Sequence, residues 1–305
     1  MTDASAMAFY RAEPAMQEYL VGLIDRFADQ DRPGLHEQIA VNWVRYDQFN
    51  LSPGSGLGAA WADQKPLYPA SVVKLVYAVA VEDWLQKGLL LETAELRRAV
   101  NDMIALSSND ATGLVVDCLT GTSSGPDLQG EAWVNWQRQR QLVNEWLSDF
   151  GWAEFERVNC CQKTWGDGPY GREQRFYGEN NSNRNALTTA AVSRLLEAVM
   201  TDGLLSPPAC HRLRSALARS LSQCERSADP ENQVDGFLGE GLPENSRLWS
   251  KAGWMSQARH DAAWWSEPEG ATQLLVVFSV GAERANDNQL LPGIARELAA
   301  FSQDR

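Results

Sequence analysis

The sequence predicts an α+β fold. A five-stranded antiparallel sheet draws strands from both chain ends, the terminal helices flank it, and an all-helical lobe is inserted in the middle. Three observations carry this prediction. Strand-like segments fall into two groups, one before residue 66 and one after residue 246. Between about 69 and 225 the pattern is mostly helical, with no series of strands. Apolar residues at helical spacing open and close the chain.

Each element has its own signal. Residues 14–30 begin with a proline and place Met16, Leu20, Leu23, Ile24 and Phe27 on one helical face. In "EQIAVNWVRYD", Ile39, Val41, Trp43 and Arg45 alternate with Ala40, Asn42 and Val44, which is a strand pattern. A Pro-Gly turn at 53–54 leads into "SGLGAAWAD", the second arm of a hairpin. A Gly/Ser/Pro loop follows at 120–130, and an irregular stretch rich in Gly and Asn at 161–185. The second is longer than an ordinary connection, and such loops are often functional. Strand signals return at 247–255, 260–267 and 271–281, and a helix is expected near 288–303. The 305 residues suit one domain with two lobes: an α/β lobe of about 14–66 and 226–305, and a helical lobe of about 67–225.

Composition narrows the function classes. The hydrophobic fraction of 44% and charged fraction of 22% are those of a globular protein. A net charge of −13 repels phosphate backbones, so nucleic acid is not an expected partner. No stretch approaches the roughly 18–20 apolar residues of a membrane span, so no membrane partner is expected either. The N-terminus lacks a basic start followed by an apolar core. As written, the expectation is a cytoplasmic protein, or a periplasmic or extracellular one if a leader has been removed. Five cysteines, an odd count without a C-x-x-C pair, argue against a disulfide framework or a zinc site. The adjacent Cys160 and Cys161 read as reduced thiols. The three histidines, His36, His211 and His260, form no H-E-x-x-H motif.

The chemistry concentrates in three short motifs. In "YPASVVKLVYAVAVEDWLQKGLL" a single lysine, Lys74, interrupts an apolar helix one turn after Ser71. Positions i and i+3 share a helical face. A serine at a helix N-terminus sits where free N–H groups and the helix dipole favour developing negative charge. A lysine amine with a lowered pKa can take the hydroxyl proton. The same residues also fit a helix cap and a thin solvated stripe, and S-x-x-K alone occurs by chance. Two later stretches complete an ordered set: Ser107-Ser108-Asn109 in "NDMIALSSNDATGLVVD", and Lys251-Ala252-Gly253 in "WSKAGWMS".

The order S-x-x-K, S-x-N, K-[TSA]-G resembles that of the penicillin-recognising serine hydrolases, and within them the class A β-lactamase branch. That superfamily also contains D-alanyl-D-alanine peptidases and esterases. "MIALSSNDATGLVVD" is similar to the family's helix after its middle motif, and "NALTTAAVSRLLEAVMTDGLLS" to its Thr-Thr helix. The resemblance covers roughly residues 35–300 and implies the β-lactamase/transpeptidase-like fold. It further implies that Ser71 becomes acylated, that Lys74 moves its proton, and that Ser107 relays a proton to the leaving nitrogen. By the same resemblance Asn109 binds the substrate's side-chain amide, and Lys251 supplies charge for a substrate carboxylate. The N–H groups of Ser71 and Trp254, the latter following Gly253, form the oxyanion hole. No metal or organic cofactor is implied.

Departures from the family pattern mark where this chain differs. Ser108 replaces the central Asp, and Ala252 replaces a hydroxyl-bearing residue. The catalytic loop does not read Glu-x-x-Leu-Asn, and the interval from Ser71 to Ser107 is shortened. Glu179 is the candidate water-activating base, with Glu173 behind it; either also fits a solvated loop carboxylate. Arg259, expected opposite Lys251, is a candidate for holding a carboxylate bidentately or a surface arginine at a hairpin end. The expected function is a serine hydrolase forming an acyl-enzyme at Ser71, with β-lactamase-type hydrolysis of a cyclic amide. The alternatives are a D-alanyl-D-alanine peptidase, penicillin-binding protein or esterase on the same fold, or an idle ligand-binding protein. The expected partner is a small-molecule or peptide amide.

Overall fold

The computed structural model describes residues 8–47, 51–268 and 271–301. In chain order its elements are β1 (Tyr10–Ala12), α1 (Pro14–Asp31), α2 (Leu35–Gln38), β2 (Ile39–Tyr46), β3 (Gly56–Trp61), α3 (Val73–Gln86), α4 (Ala94–Ala105), α5 (Asn109–Thr120), α6 (Gly130–Arg140), α7 (Leu142–Asp149), α8 (Arg172–Tyr177), α9 (Thr189–Met200), α10 (Pro207–Leu217), β4 (Ala218–Arg219), α11 (Gln223–Ala228), β5 (Arg247–Met255), β6 (Ala258–Ser266), β7 (Thr272–Val280), α12 (Ala282–Asn286) and α13 (Leu290–Ala299). The described residues form two compact units, one of residues 66–187 and one of 8–65 with 188–301.

The sheet unit holds a seven-stranded sheet in the order β1-β3-β2-β7-β6-β5-β4. The expectation of five antiparallel strands is corrected: β1 joins parallel to β3 and makes the sheet mixed, and β4 joins antiparallel to β5. Strands of three and two residues carry no alternation, which is why the pattern misses them. The other five strands lie near their expected positions and pair antiparallel. One sheet face carries Val41, Trp43, Leu248, Ala252, Ala263, Trp265, Leu275 and Val277, packed with Met16, Leu20 and Leu23 of α1 and Leu291, Ile294 and Leu298 of α13. Each of the buried Val, Leu, Ile and Met side chains among them contributes about 1.5–3 kcal/mol of transfer free energy. The last helix ends at Ala299, and positions 302 and 303 of the expected helix lie outside the described residues.

Helix α9 packs on the opposite face, against β2, β6 and β7. The Tyr46 hydroxyl donates to Glu197 Oε1 there at 3.0 Å. Nearly every residue of α9 is buried. Its periodicity therefore does not reveal its partner, and the helical lobe ends at 187 rather than near 225.

The helical unit is centred on α3, buried from Val73 to Trp84. Helices α4, α5 and α7 pack around it. The 161–185 stretch is not continuous coil: it contains α8, and a bridge between Asn159 and Ala186 closes its base.

Candidate active site

Ser71 lies half-buried in a short 3₁₀ turn, Ala70–Val72, that runs into α3. Ala70 adopts φ 46°, a left-handed conformation costing an L-residue roughly 1–2 kcal/mol. This sharp entry presents Ser71 at the helix start. Ser107 is likewise left-handed, at φ 55°, and turns the end of α4 into the start of α5. Strain of this kind clusters at functional sites.

Lys74 is fully buried on α3. Its Nζ donates to the Ser107 carbonyl at 2.5 Å and to Asn109 Oδ1 at 2.8 Å, and lies 3.2 Å from Ser107 Oγ. Burial lowers its pKa to about 7. A neutral amine has two N–H groups and one lone pair. The two carbonyl-type oxygens accept the N–H groups of the neutral amine, and its third neighbour is the Ser107 hydroxyl. The helical unit thus brings Lys74, Ser107 and Asn109 into one hydrogen-bonded cluster, with Ser71 one turn before Lys74.

Ser108, in the place where the family's pattern has Asp, is the N-cap of α5, and its Oγ accepts from the Ala111 N–H at 3.1 Å. Its side chain serves the helix.

Thr164, absent from the sequence reading, donates to Asn109 Oδ1 at 2.9 Å. The loop carrying it is tied to α3 through Tyr77, whose hydroxyl donates to the Gln162 carbonyl at 2.7 Å. Asn185 Oδ1 accepts from the N–H groups of Cys161 and Gln162, and its Nδ2 donates to the Gln162 carbonyl. Only the irregular composition of 161–185 hinted at this role. All five cysteines are free, and burial raises the Cys160 and Cys161 thiols, so neither carries a reactive thiolate.

The two loop glutamates separate. Glu179 is exposed, in a 3₁₀ turn at 179–181. Glu173 is fully buried. Its Oε1 accepts from Arg140 Nη1 at 3.0 Å and Ser124 Oγ at 2.9 Å, and lies 3.7 Å from Lys163 Nζ. Lys163 also pairs with Asp117 at 2.7 Å. Glu173 Oε2 has no hydrogen-bond partner. Glu173 is the counter-ion of a buried cluster, and the preference for Glu179 as the placed carboxylate is not matched by its environment.

In the sheet unit, Lys251 is fully buried on β5. Its Nζ donates to Gln233 Oε1 at 2.5 Å and to the Ala252 carbonyl at 2.8 Å. Gln233 Oε1 also accepts from the Ala252 N–H at 3.3 Å, so that N–H points away from β6. Two residues on, the Trp254 N–H points the same way. Past Trp249, β5 has no strand on this outer side among the described residues. Gln233 gave no signal in the sequence. Gly253 lies between these positions, opposite His260.

Arg259 does not face Lys251. The register sets it opposite Trp254, and Lys251 opposite Ala262. A tight β5–β6 turn leaves fewer residues between the two strands than the expectation assumed. The Arg259 guanidinium donates to the carbonyls of Ala285 at 2.9 Å and Gly236 at 3.2 Å.

Among the described residues, no group of three or more His, Cys, Asp or Glu side chains could hold a metal ion, and no helix is long and apolar enough to cross a membrane.

Residues 91–301 match the sequence model of the beta-lactamase enzyme family. No curated protein matches the chain. Among solved structures it is similar to PBP-A, with a TM-score of 0.62 and 13% identity over 95% of this chain and 96% of that one. A mutant of PBP-A, captured as an acyl-enzyme with penicillin G, gives 0.63 and 14% over the same shares. A beta-lactamase from Sphaerobacter thermophilus gives 0.61 and 16%, covering 91% of this chain and 95% of that one.

Proposed function

The chain belongs to the beta-lactamase enzyme family, and on that premise we propose that Ser71 is the nucleophile of its acyl-transfer reaction. It is a serine hydrolase acting on amide bonds, as the motif order led us to expect. The observation that carries the assignment is the buried amine of Lys74, its pKa lowered to about 7, one helical turn after Ser71 at the entry to α3. In the proposed reaction Ser71 Oγ attacks the carbonyl carbon and its proton passes to Lys74. The oxyanion is held by backbone N–H groups, for which the Trp254 N–H on the open edge of β5 is one candidate. Collapse breaks the carbon–nitrogen bond, and Ser107 passes a proton to the departing nitrogen. Lys251, held by Gln233, is the proposed charge for a substrate carboxylate. A cyclic amide of the penicillin class is the proposed acyl donor, supported by the penicillin adduct of the structurally similar PBP-A mutant.

Lys74→Arg tests the base. A guanidinium stays protonated, so acylation by a penicillin should fall by about 10²- to 10⁴-fold. Acylation at the wild-type rate would remove Lys74 from the proton transfer.

A second reading, a penicillin-binding protein with a long-lived adduct, is favoured by the two glutamates. Glu179 is exposed and Glu173 is committed to Arg140, Ser124 and Lys163. Acylation then outruns deacylation. The lifetime of the Ser71 adduct decides between the readings: seconds for a lactamase, hours for a binding protein.

A further inference from the structure

Asn109, Gly113 and Asp117 stand four residues apart on α5 and so share one face. Two consecutive residues of the 161–185 stretch lie along that face. Lys163 Nζ donates to Asp117 Oδ2 at 2.7 Å and to Ser124 Oγ at 2.8 Å. Its stem passes over Gly113, with Cδ 3.9 Å from where a Cβ would stand. Thr164, itself buried, donates from Oγ1 to Asn109 Oδ1 at 2.9 Å. The backbone just ahead is pinned by the Tyr77 hydroxyl and by Asn185. The Thr164 hydroxyl therefore reaches Asn109 from a fixed support, and all of these groups belong to the helical unit.

Asn109 needs that second partner. It is exposed, and the terminal torsion of an asparagine is broad. One bond, from Lys74 at 2.8 Å, leaves the carboxamide free to turn about it. A second bond, from a different element, fixes its plane. Both bonds end on Oδ1, and Nδ2 donates to no described residue. Its two N–H groups are left for an acceptor on a ligand, with their direction already set. We propose that Thr164 is a positioning residue, whose hydroxyl holds the Asn109 carboxamide so that Nδ2 meets the amide carbonyl of the substrate's side chain. This inference deepens the acyl-enzyme reading and rests on it. Thr164 acts through Asn109 and not on the reacting atoms.

The test compares two penicillins, one with an acylamino side chain and one with a bare amine at the same position. Second-order rate constants of Ser71 acylation are measured by rapid-quench intact mass, and their ratio is the readout. The proteins are wild type, Thr164→Val, Thr164→Ser, Asn109→Ala, and Asn109→Ala with Thr164→Val. Valine keeps the branched shape and loses the donor; serine keeps the donor. Positioning predicts that Thr164→Val lowers the ratio of acylamino to amine by roughly 5- to 10-fold, the weight of one hydrogen bond. Thr164→Ser should keep most of the ratio. In Asn109→Ala the ratio should already be low, and adding Thr164→Val should lower it no further. An equal loss on both penicillins in Thr164→Val overturns the proposal, because the hydroxyl would then only hold the loop. So does an unchanged ratio, a ratio as low in Thr164→Ser as in Thr164→Val, or a further fall on the Asn109→Ala background. No adduct in wild type sinks the acyl-enzyme reading and the positioning role with it. An adduct in wild type whose ratio Thr164→Val leaves alone sinks the positioning role only.

Discussion

Lys74 shows how one buried amine sets both reactivity and its cost. Burial moves its pKa from 10.5 down to about 7. Between those values the unfolded chain binds more protons than the folded one, so stability rises with pH across the window. Below about 7 the full penalty is present, with an upper bound of roughly 4–5 kcal/mol. Lys74→Met should therefore raise stability at pH 6 by a few kcal/mol while abolishing acylation, which denaturant melts and adduct formation would check together. The activity titrates at the lower edge of that window. Only the neutral amine accepts a proton, so the wild-type acylation rate should climb with pH and level off above about 7. A rate flat from pH 5 to 9 would show that Lys74 does not titrate in the reaction. Glu173 gives a contrasting case. Its removal leaves Arg140 and Lys163 short of a buried counter-charge, and Glu173→Ala should cost about 3–5 kcal/mol in stability. If Glu173→Ala melts like wild type but prolongs the Ser71 adduct, Glu173 is the deacylation base after all.

At the level of elements, helix starts were legible and side-chain assignments were less so. Ser71 and Lys74 declare themselves because one charge in an apolar helix needs a reason. Ser108 reads only as a departure from the family's Asp until its Oγ is seen capping α5. Asp is as good an N-cap as Ser, so Ser108→Asp should be nearly neutral in thermal melts. Ser108→Ala should cost about 0.5–2 kcal/mol. A large loss in Ser108→Asp would mean that the hydroxyl, rather than the cap, matters. The strands of five or more residues were legible from alternation and apolar runs, whereas β1 and β4 were not, being too short to carry a period. Register was the weak point. Arg259 was expected opposite Lys251, but turn length decides cross-strand neighbours and cannot be read from apolar pattern alone. Thr164 and Gln233 were invisible because long-range hydrogen bonds leave no local trace.

For the whole molecule, the sequence reading set α9 and α10 in the helical lobe, whereas the contacts of 188–217 are with the sheet. Helix α9 groups with the sheet because it packs on β2, β6 and β7, and α10 because it packs on α9 and β5. Stability should also carry a signature from Asp261, which is fully buried with Oδ2 accepting from the Leu238 N–H. Burial raises its pKa to about 7, against the opposing charges of Lys251 and Arg219. The folded state then holds a proton that the unfolded state has lost, so stability falls as pH rises from about 4 to about 7. Asp261→Asn should flatten that fall, and urea melts at pH 5 and pH 8 would record it; an unchanged slope would mean that Asp261 ionises normally.

The central claim, covalent catalysis through Ser71, is tested most directly by intact mass. Protein mixed with a penicillin is sampled over time. The account predicts a mass increase of one penicillin per chain in wild type, mapped to Ser71, and none in Ser71→Ala. An adduct of equal yield in Ser71→Ala, or penicillin hydrolysis that Ser71→Ala leaves undiminished, would contradict it.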